Sequence, residues 1–194
     1  KGNEALLERY RSQMVERGEA AWQTDPDAWK CGRTLNAAQM KVDALLESGE
    51  VWEVGYAGAP GGGKSSLLAH RGMKDGLRYP GWSGLVVRET KLSMKDSVLG
   101  EFLWCADWLK VNRGLDYYWS ETDSRLTLMT DPVRGIRNST FWFCAANSTV
   151  IQGVNMDGVM SDEAPQIDER VWRECVNRRR GGKFNPPRPD GGPS

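Results

Sequence analysis

A glycine-rich stretch in the first third of the chain has the residue types and spacing that bind a nucleotide phosphate. Residues 58–65 read Gly-Ala-Pro-Gly-Gly-Gly-Lys-Ser and fit the pattern G-x-x-x-x-G-K-[ST] without a mismatch. Glycines let backbone N–H groups turn inward around a phosphate, and the N-terminus of a following helix adds a favourable dipole. Lys64 can reach the β- and γ-phosphates, and the Ser65 hydroxyl can ligate Mg²⁺. The candidate nucleotide-binding residues of this loop are Gly58, Ala59, Pro60, Gly61, Gly62, Gly63, Lys64, Ser65 and Ser66.

A pair of acids much later in the chain completes the candidate chemistry. Asp162 and Glu163 directly follow an apolar strand predicted within residues 154–161. An Asp at a strand end can hold Mg²⁺ opposite Ser65, and a Glu beyond it can polarise a water that attacks the γ-phosphate. Small-molecule kinases exclude that water, so the adjacent Glu favours hydrolysis. We therefore predict a magnesium site at Ser65 and Asp162, and catalytic roles for Lys64, Asp162 and Glu163.

The elements around these motifs predict an α/β fold. The β-branched run 51–57 reads as the strand before the loop, and residues 65–77 read as the helix after it. Strands that alternate with helices, without a repeat, indicate a mainly parallel sheet flanked by helices. The other predicted elements are a strand over 84–88, a helix over 93–110, a hairpin of strands 125–130 and 140–145, and a helix over 168–178.

Composition excludes several classes of protein. The formal net charge is zero, so any contact with DNA must come from a local patch. No apolar run approaches membrane length and no signal peptide opens the chain, so we expect no membrane. The four cysteines form no C-x-x-C pair and His70 is the one histidine. A zinc site or a Ser-His-Asp triad is therefore unsupported, and a reducing intracellular compartment is expected.

The chain divides into three predicted segments. Residues 1–33 read as an N-terminal helical segment, 34–180 as the nucleotide-binding domain, and 181–194 as a loop or tail rich in Gly and Pro. The first residue is Lys1 rather than Met, so we expect a processed or excised piece of a longer protein.

The order of the motifs resembles a known family. Residues 34–39 (Thr-Leu-Asn-Ala-Ala-Gln) look like the adenine-sensing glutamine motif of helicase-like ATPases. Next come the glycine-rich loop, a strand ending in Arg88, a β-rich middle, and residues 161–164 (Ser-Asp-Glu-Ala). This order is similar to the ATPase domain of large terminase subunits, the DNA-packaging motors of tailed bacteriophages. The resemblance covers residues 34–172.

The resemblance implies a fold, an activity and partners. The fold is that of additional-strand (ASCE) P-loop NTPases of the RecA and helicase-like type, with a β-hairpin insertion. The activity is Mg²⁺-dependent hydrolysis of ATP, with Gln39 contacting adenine, coupled to translocation of double-stranded DNA into a procapsid. The implied partners are a ring of copies, expected to be a pentamer, together with a portal protein and a small terminase subunit in the cytoplasm of an infected bacterial host. The nuclease domain that follows in full-length relatives is not encoded in this chain.

The source of an arginine finger is left open. Many relatives carry Arg-Gly about ten residues before the Walker B Asp, which corresponds to Asp162 here; this chain has Gln-Gly at 152–153. Other relatives carry an Arg inside the glycine-rich loop, where this chain has Ala-Pro at 59–60. A run of three arginines after the last helix reads equally as a solvated helix end or as a DNA contact. The candidates for the finger or for DNA contact are Arg88, Arg134, Arg137, Arg178, Arg179 and Arg180.

Three other functions fit parts of the pattern. A helicase-like or repair ATPase would share the glutamine motif and need a second core domain with arginine motifs. A P-loop kinase would transfer phosphate to an acceptor without needing Glu163. A nucleotide switch would bind without turnover.

Overall fold

The computed structural model describes residues 35–48, 51, 53–58, 61–95, 97–130, 138–147, 151 and 155–179. The expectations for the N-terminal helical segment 1–33, the hairpin turn at 131–137 and the tail 181–194 lie outside these residues. So do those for Ala59, Pro60, Arg134, Arg137 and Arg180. No helix among the described residues is both long and apolar enough to cross a membrane.

Two helices bracket the glycine-rich loop. Helix α1, Ala37–Glu47, begins at a capping box. The Asn36 side chain accepts from backbone N–H groups of the first turn, and the Gln39 side chain accepts from the Asn36 backbone N–H. Helix α2, Lys64–Arg78, starts directly after Gly63, whose φ of 73° is left-handed. The helix predicted over 65–77 is confirmed.

Ion pairs hold α1 along α2. Asp43 and Glu47 contact Arg71, Lys74 and Arg78, with the shortest N–O distance 2.6 Å between Arg71 and Glu47. Partial burial alone would raise the pKa of Glu47. The hydrogen bonds and positive charges of Arg78, Arg71 and Lys74 outweigh the effect of burial and lower the pKa of Glu47 to about 2. Glu47 therefore stays ionised throughout the physiological range and ties the two helices together.

The sheet has five strands in the order β2-β3-β4-β1-β5. Strand β1 (Ser83–Arg88) pairs in parallel with β4 (Ser139–Ala145) and β5 (Gly158–Ser161). Strand β3 (Arg125–Leu128) pairs antiparallel with β4, and β2 (Tyr117–Ser120) pairs antiparallel with β3 at the edge of the sheet. The predicted hairpin is confirmed, and the strands nearest the acids are parallel as expected.

Helices pack on both faces of the sheet. On one face α2 and helix α4 (Val98–Arg113) bury an aromatic cluster, in which Phe102 meets Phe141 and Phe143 at ring-centroid distances of 5.1 and 5.2 Å. On the other face helix α5 (Glu169–Asn177) covers a smaller cluster that includes Leu85 and Cys175. The sheet is thus a rigid platform whose strand ends position the site.

The helix predicted over 93–110 is interrupted. It consists of α3 (Lys91–Lys95) and α4, and Ser97 between them is in a turn. The Ser93 carbonyl, which would accept the next helical N–H, accepts instead from the Arg88 guanidinium and the Ser97 hydroxyl, both at 2.9 Å. Because that acceptor is used by side chains, the first helix ends there.

The strand predicted over 51–57 was wrong for the residues the structure describes. Residues 51 and 53–58 form no regular secondary structure and pair with no described strand. The open edge of β5 carries one parallel bridge, Met156 to Arg179, rather than a neighbouring strand. The segment is instead tied to α5 through the Trp172 indole N–H, which donates to Glu53 Oε1 at 3.2 Å. A β-branched run predicts extended backbone, but it does not supply the partner that a strand needs.

Candidate functional site

The loop and the two acids meet at one edge of the sheet. Strands β1 and β5 run in parallel, so Arg88, at the end of β1, lies beside Asp162 and Glu163, which follow β5. The N-terminus of α2 faces the same edge, because Ser65 in its first turn contacts Asp162. The carboxyl ends of parallel strands are where open α/β sheets bind their ligands.

The described part of the glycine-rich loop has the backbone that a phosphate cradle needs. Gly61 and Gly63 have φ values of 79° and 73°, which residues other than glycine rarely adopt. The Lys64 ammonium donates to the Gly58 carbonyl at 2.8 Å and so spans the mouth of the loop. Tyr56 supports the loop from the preceding segment, since its hydroxyl donates to the Gly62 carbonyl at 3.3 Å.

The predicted magnesium ligands are in contact. The Ser65 hydroxyl donates to Asp162 Oδ1 at 3.2 Å and to Oδ2 at 3.4 Å. Asp162 is only 5% exposed, so its carboxylate is fixed in place. One hydroxyl and one carboxylate fit Mg²⁺, which takes few protein ligands and completes its shell with water and phosphate oxygens.

Arg88 lies inside the site as the counter-ion of both acids. Its guanidinium reaches Asp162 Oδ2 at 3.2 Å and Glu163 Oε1 at 2.7 Å. The residue is 8% exposed, which leaves little of its surface for a contact with DNA, and its role as an arginine finger stays a prediction. The arginine candidates were chosen from sequence order, which does not reveal that the end of β1 adjoins the end of β5.

Glu163 is held in a specific orientation. Its φ of 57° is left-handed, a conformation that costs of order 1 kcal/mol and is concentrated at functional sites. With its amide nitrogen facing the carboxylates, Gln166 donates to Glu163 Oε2 at 2.8 Å and to Glu89 Oε2 at 3.2 Å. The sequence analysis missed Gln166 and Glu89. The only signal available was that each is within three residues of a predicted site residue.

The remaining predicted residues are placed as follows. Ser66 is in the first turn of α2. Gln39, in the first turn of α1, is buried against the loop, and its side-chain amide donates a hydrogen bond to the Gly63 carbonyl. Arg178 and Arg179 lie beside Met156, two residues before β5, rather than beside its carboxyl end. Asp162 follows Met156 by six positions, most of them in β5, which corresponds to about 20 Å. Within one copy neither arginine reaches the acids, so a finger role would require a neighbouring copy.

Breaking the buried pair should measurably destabilise the protein. We expect Arg88→Gln to lower the free energy of unfolding by about 3 kcal/mol, because it leaves Asp162 buried without its counter-ion. The double variant Arg88→Gln, Asp162→Asn should recover part of that loss. Urea denaturation of the four proteins in the double-mutant cycle measures it, and strictly additive losses would contradict the coupling.

The fold has counterparts among solved structures. The large terminase from a thermophilic bacteriophage superposes with a TM-score of 0.61 and 14% identity, over 75% of this chain and 36% of that one. A structure of that protein in complex with ADP gives 0.59 and 14%, over 75% and 36%. A variant of the large terminase ATPase domain of Thermus phage P74-26 gives 0.57 and 18%, over 75% and 60%.

These likenesses have defined limits. No protein-family model matches the sequence, and no curated protein matches it. The chain spans 36% of the length of the first of these terminases. At such low identities the superposition establishes architecture rather than activity. The chain has the α/β P-loop fold of a large terminase ATPase domain.

Proposed function

We propose that this chain is the ATPase part of a DNA-packaging motor of the large terminase type. The observation that carries the proposal is the contact between Ser65 and Asp162, with Glu163 next in sequence, at the mouth of a glycine-rich loop. A phosphate loop alone indicates binding. The buried carboxylate on its serine and the adjacent glutamate supply the further groups that hydrolysis needs. The ADP complex of one structural counterpart adds support for a nucleotide ligand.

Each residue of the site has a separate role in the proposed hydrolysis. Backbone N–H groups of residues 61–65 and the Lys64 ammonium bind the phosphates, and one of the three ammonium N–H groups donates to the Gly58 carbonyl. Ser65 and Asp162 would hold Mg²⁺, which would neutralise charge on the phosphates. Glu163 accepts a hydrogen bond from the attacking water and aligns it with the γ-phosphorus. Arg88 and Gln166 hold the Glu163 carboxylate in place.

The motor role rests on the fold and on the order of motifs. We propose that the hydrolysis drives double-stranded DNA into a procapsid, within a ring of copies that docks on a portal protein and works with a small terminase subunit. The setting would be the cytoplasm of an infected bacterial host. Since the chain carries no net charge, the DNA contact must be a local basic patch.

The DNA dependence of ATP hydrolysis tests the motor role. We expect linear double-stranded DNA to raise the rate of Mg·ATP hydrolysis several-fold at low salt, and to lose this effect as salt rises, because phosphate contacts release counter-ions. Phosphate release is measured with duplex DNA, single-stranded DNA and no DNA. Stimulation by single strands alone would instead indicate a helicase-like enzyme. A rate unaffected by any DNA would contradict the motor role while leaving the ATPase assignment intact.

A further inference from the structure

The side-chain amide of Gln39 is engaged on both sides by backbone. Its Oε1 accepts from the Asn36 N–H at 2.8 Å, which completes the cap of α1. Its Nε2 donates to the Gly63 carbonyl at 2.8 Å. The residue is 5% exposed, so almost none of its surface is available to a ligand. The amide therefore joins the start of α1 to the last glycine of the loop.

Gly63 is the point where the loop becomes the helix. Its carbonyl accepts the Leu67 N–H at 2.9 Å, the first hydrogen bond of α2, as well as the Gln39 amide. A Cβ at this position would lie 2.5 Å from Gln39 Nε2, so the amide packs directly on the loop backbone. The hydrogen bond from Gln39 in α1 thus fixes the orientation of the Gly63 peptide. It thereby also sets the neighbouring N–H groups that would face a phosphate.

The rest of α1 is anchored so that this contact is rigid. Asp43 and Glu47 follow Gln39 at intervals of four residues, so all three lie on one face of the helix. The two acids pair with cations further along α2, including Lys74, which is 7% exposed and lies 2.7 Å from Asp43 Oδ2. One face of α1 therefore contacts the loop at its first turn and α2 along its length.

We propose that Gln39 is a positioning residue for the phosphate loop and does not read the base of the nucleotide. It holds the Gly63 carbonyl, and so sets the loop backbone for the triphosphate whichever base is attached. This inference rests on the proposed function and replaces the adenine contact implied by the resemblance. A reader of adenine needs amide surface facing the base, and here both ends of the amide face backbone.

A ligand without a base separates the two roles. Binding of Mg²⁺ with inorganic tripolyphosphate, with ATP and with GTP is measured by calorimetry for the wild type, Gln39→Glu and Gln39→Ala. Gln39→Glu keeps the acceptor for the Asn36 N–H but replaces the donor to Gly63 with a carboxylate oxygen. We expect it to weaken all three ligands by the same factor, about tenfold, and to leave the ATP to GTP ratio unchanged. Gln39→Ala should behave alike.

The control places the same charge one residue away. Ala38 is exposed on α1, so Ala38→Glu adds a carboxylate beside Gln39 without touching Gly63, and we expect its three affinities to equal those of the wild type. Thermal unfolding of each variant shows that the loss is not one of folding. The inference is overturned if Gln39→Glu or Gln39→Ala binds tripolyphosphate as the wild type does, or changes the ATP to GTP ratio. A wild type that binds neither nucleotide would instead contradict the proposed function.

Discussion

Glu163→Gln is expected to bind Mg·ATP as tightly as the wild type and to hydrolyse it about a thousandfold more slowly. The amide is isosteric and keeps one acceptor oxygen, which can take the hydrogen bond from Arg88 while Gln166 turns its own oxygen toward the new NH₂, so the site stays close to its shape. It lacks the negative charge that polarises the attacking water, and a positioned general base contributes roughly 10²–10⁴ to a rate. ATP affinity by equilibrium binding and phosphate release in a single turnover separate the two effects.

Glu89 provides the matched control for this change. It is a second glutamate beside Gln166, with its Oε2 3.2 Å from the amide nitrogen, but it is not adjacent to the Ser65 and Asp162 pair in sequence. We expect Glu89→Gln to hydrolyse ATP within about threefold of the wild type, since it removes the same charge from a neighbouring position without removing the base. Equal losses in the two variants would mean that general electrostatics, rather than the water, is affected.

Lys64→Ala is expected to abolish detectable hydrolysis and to weaken ATP binding by about 10- to 100-fold. Hydrogen bonds from a charged donor contribute about 1.5–3 kcal/mol, and this ammonium donates to the Gly58 carbonyl at 2.8 Å across the mouth of the loop. Without the ammonium, the loop loses its hydrogen bond to the Gly58 carbonyl and the positive charge that stabilises the γ-phosphate during hydrolysis. Direct titration gives the affinity, and phosphate release gives the rate.

Lys91 is a suitable control for Lys64. It is exposed in α3, close after Arg88 in sequence, and so carries the same charge near the same edge of the sheet. We expect Lys91→Ala to bind and hydrolyse ATP as the wild type does. If Lys64→Ala retained wild-type affinity and rate, the loop would not be the phosphate site, and the account of this edge of the sheet would be wrong.

Local patterns in the sequence predicted the parts of the site that depend on local geometry. The helix after the loop, the hairpin and the strand before Asp162 are all present, because glycine spacing and alternation act over a few residues. The contact between Ser65 and Asp162 was also anticipated, since a loop followed by a helix and an acid at a strand end meet at the same sheet edge.

What the sequence could not supply was pairing between distant segments. Nothing in residues 51–57 shows whether a neighbouring strand exists, and none is formed by the part of this run that the structure describes. Arg88 was one of six candidates for an arginine finger or a DNA contact, and only the parallel pairing of β1 with β5 places it beside two carboxylates. Gln39 was assigned to adenine by resemblance, whereas its hydrogen bond to Gly63 depends on how α1 is docked against α2.

The most direct test of the central claim follows the oxygen atoms of the reaction. Mg·ATP is turned over in water enriched in oxygen-18, and the released phosphate is analysed by mass spectrometry. We predict that phosphate from the wild type carries one oxygen from the solvent, because water aligned by Glu163 attacks the γ-phosphorus. Glu163→Gln should release almost no labelled phosphate over the same time. Wild-type protein that binds ATP but releases no labelled phosphate, or a Glu163→Gln variant that labels it at the wild-type rate, would contradict the account.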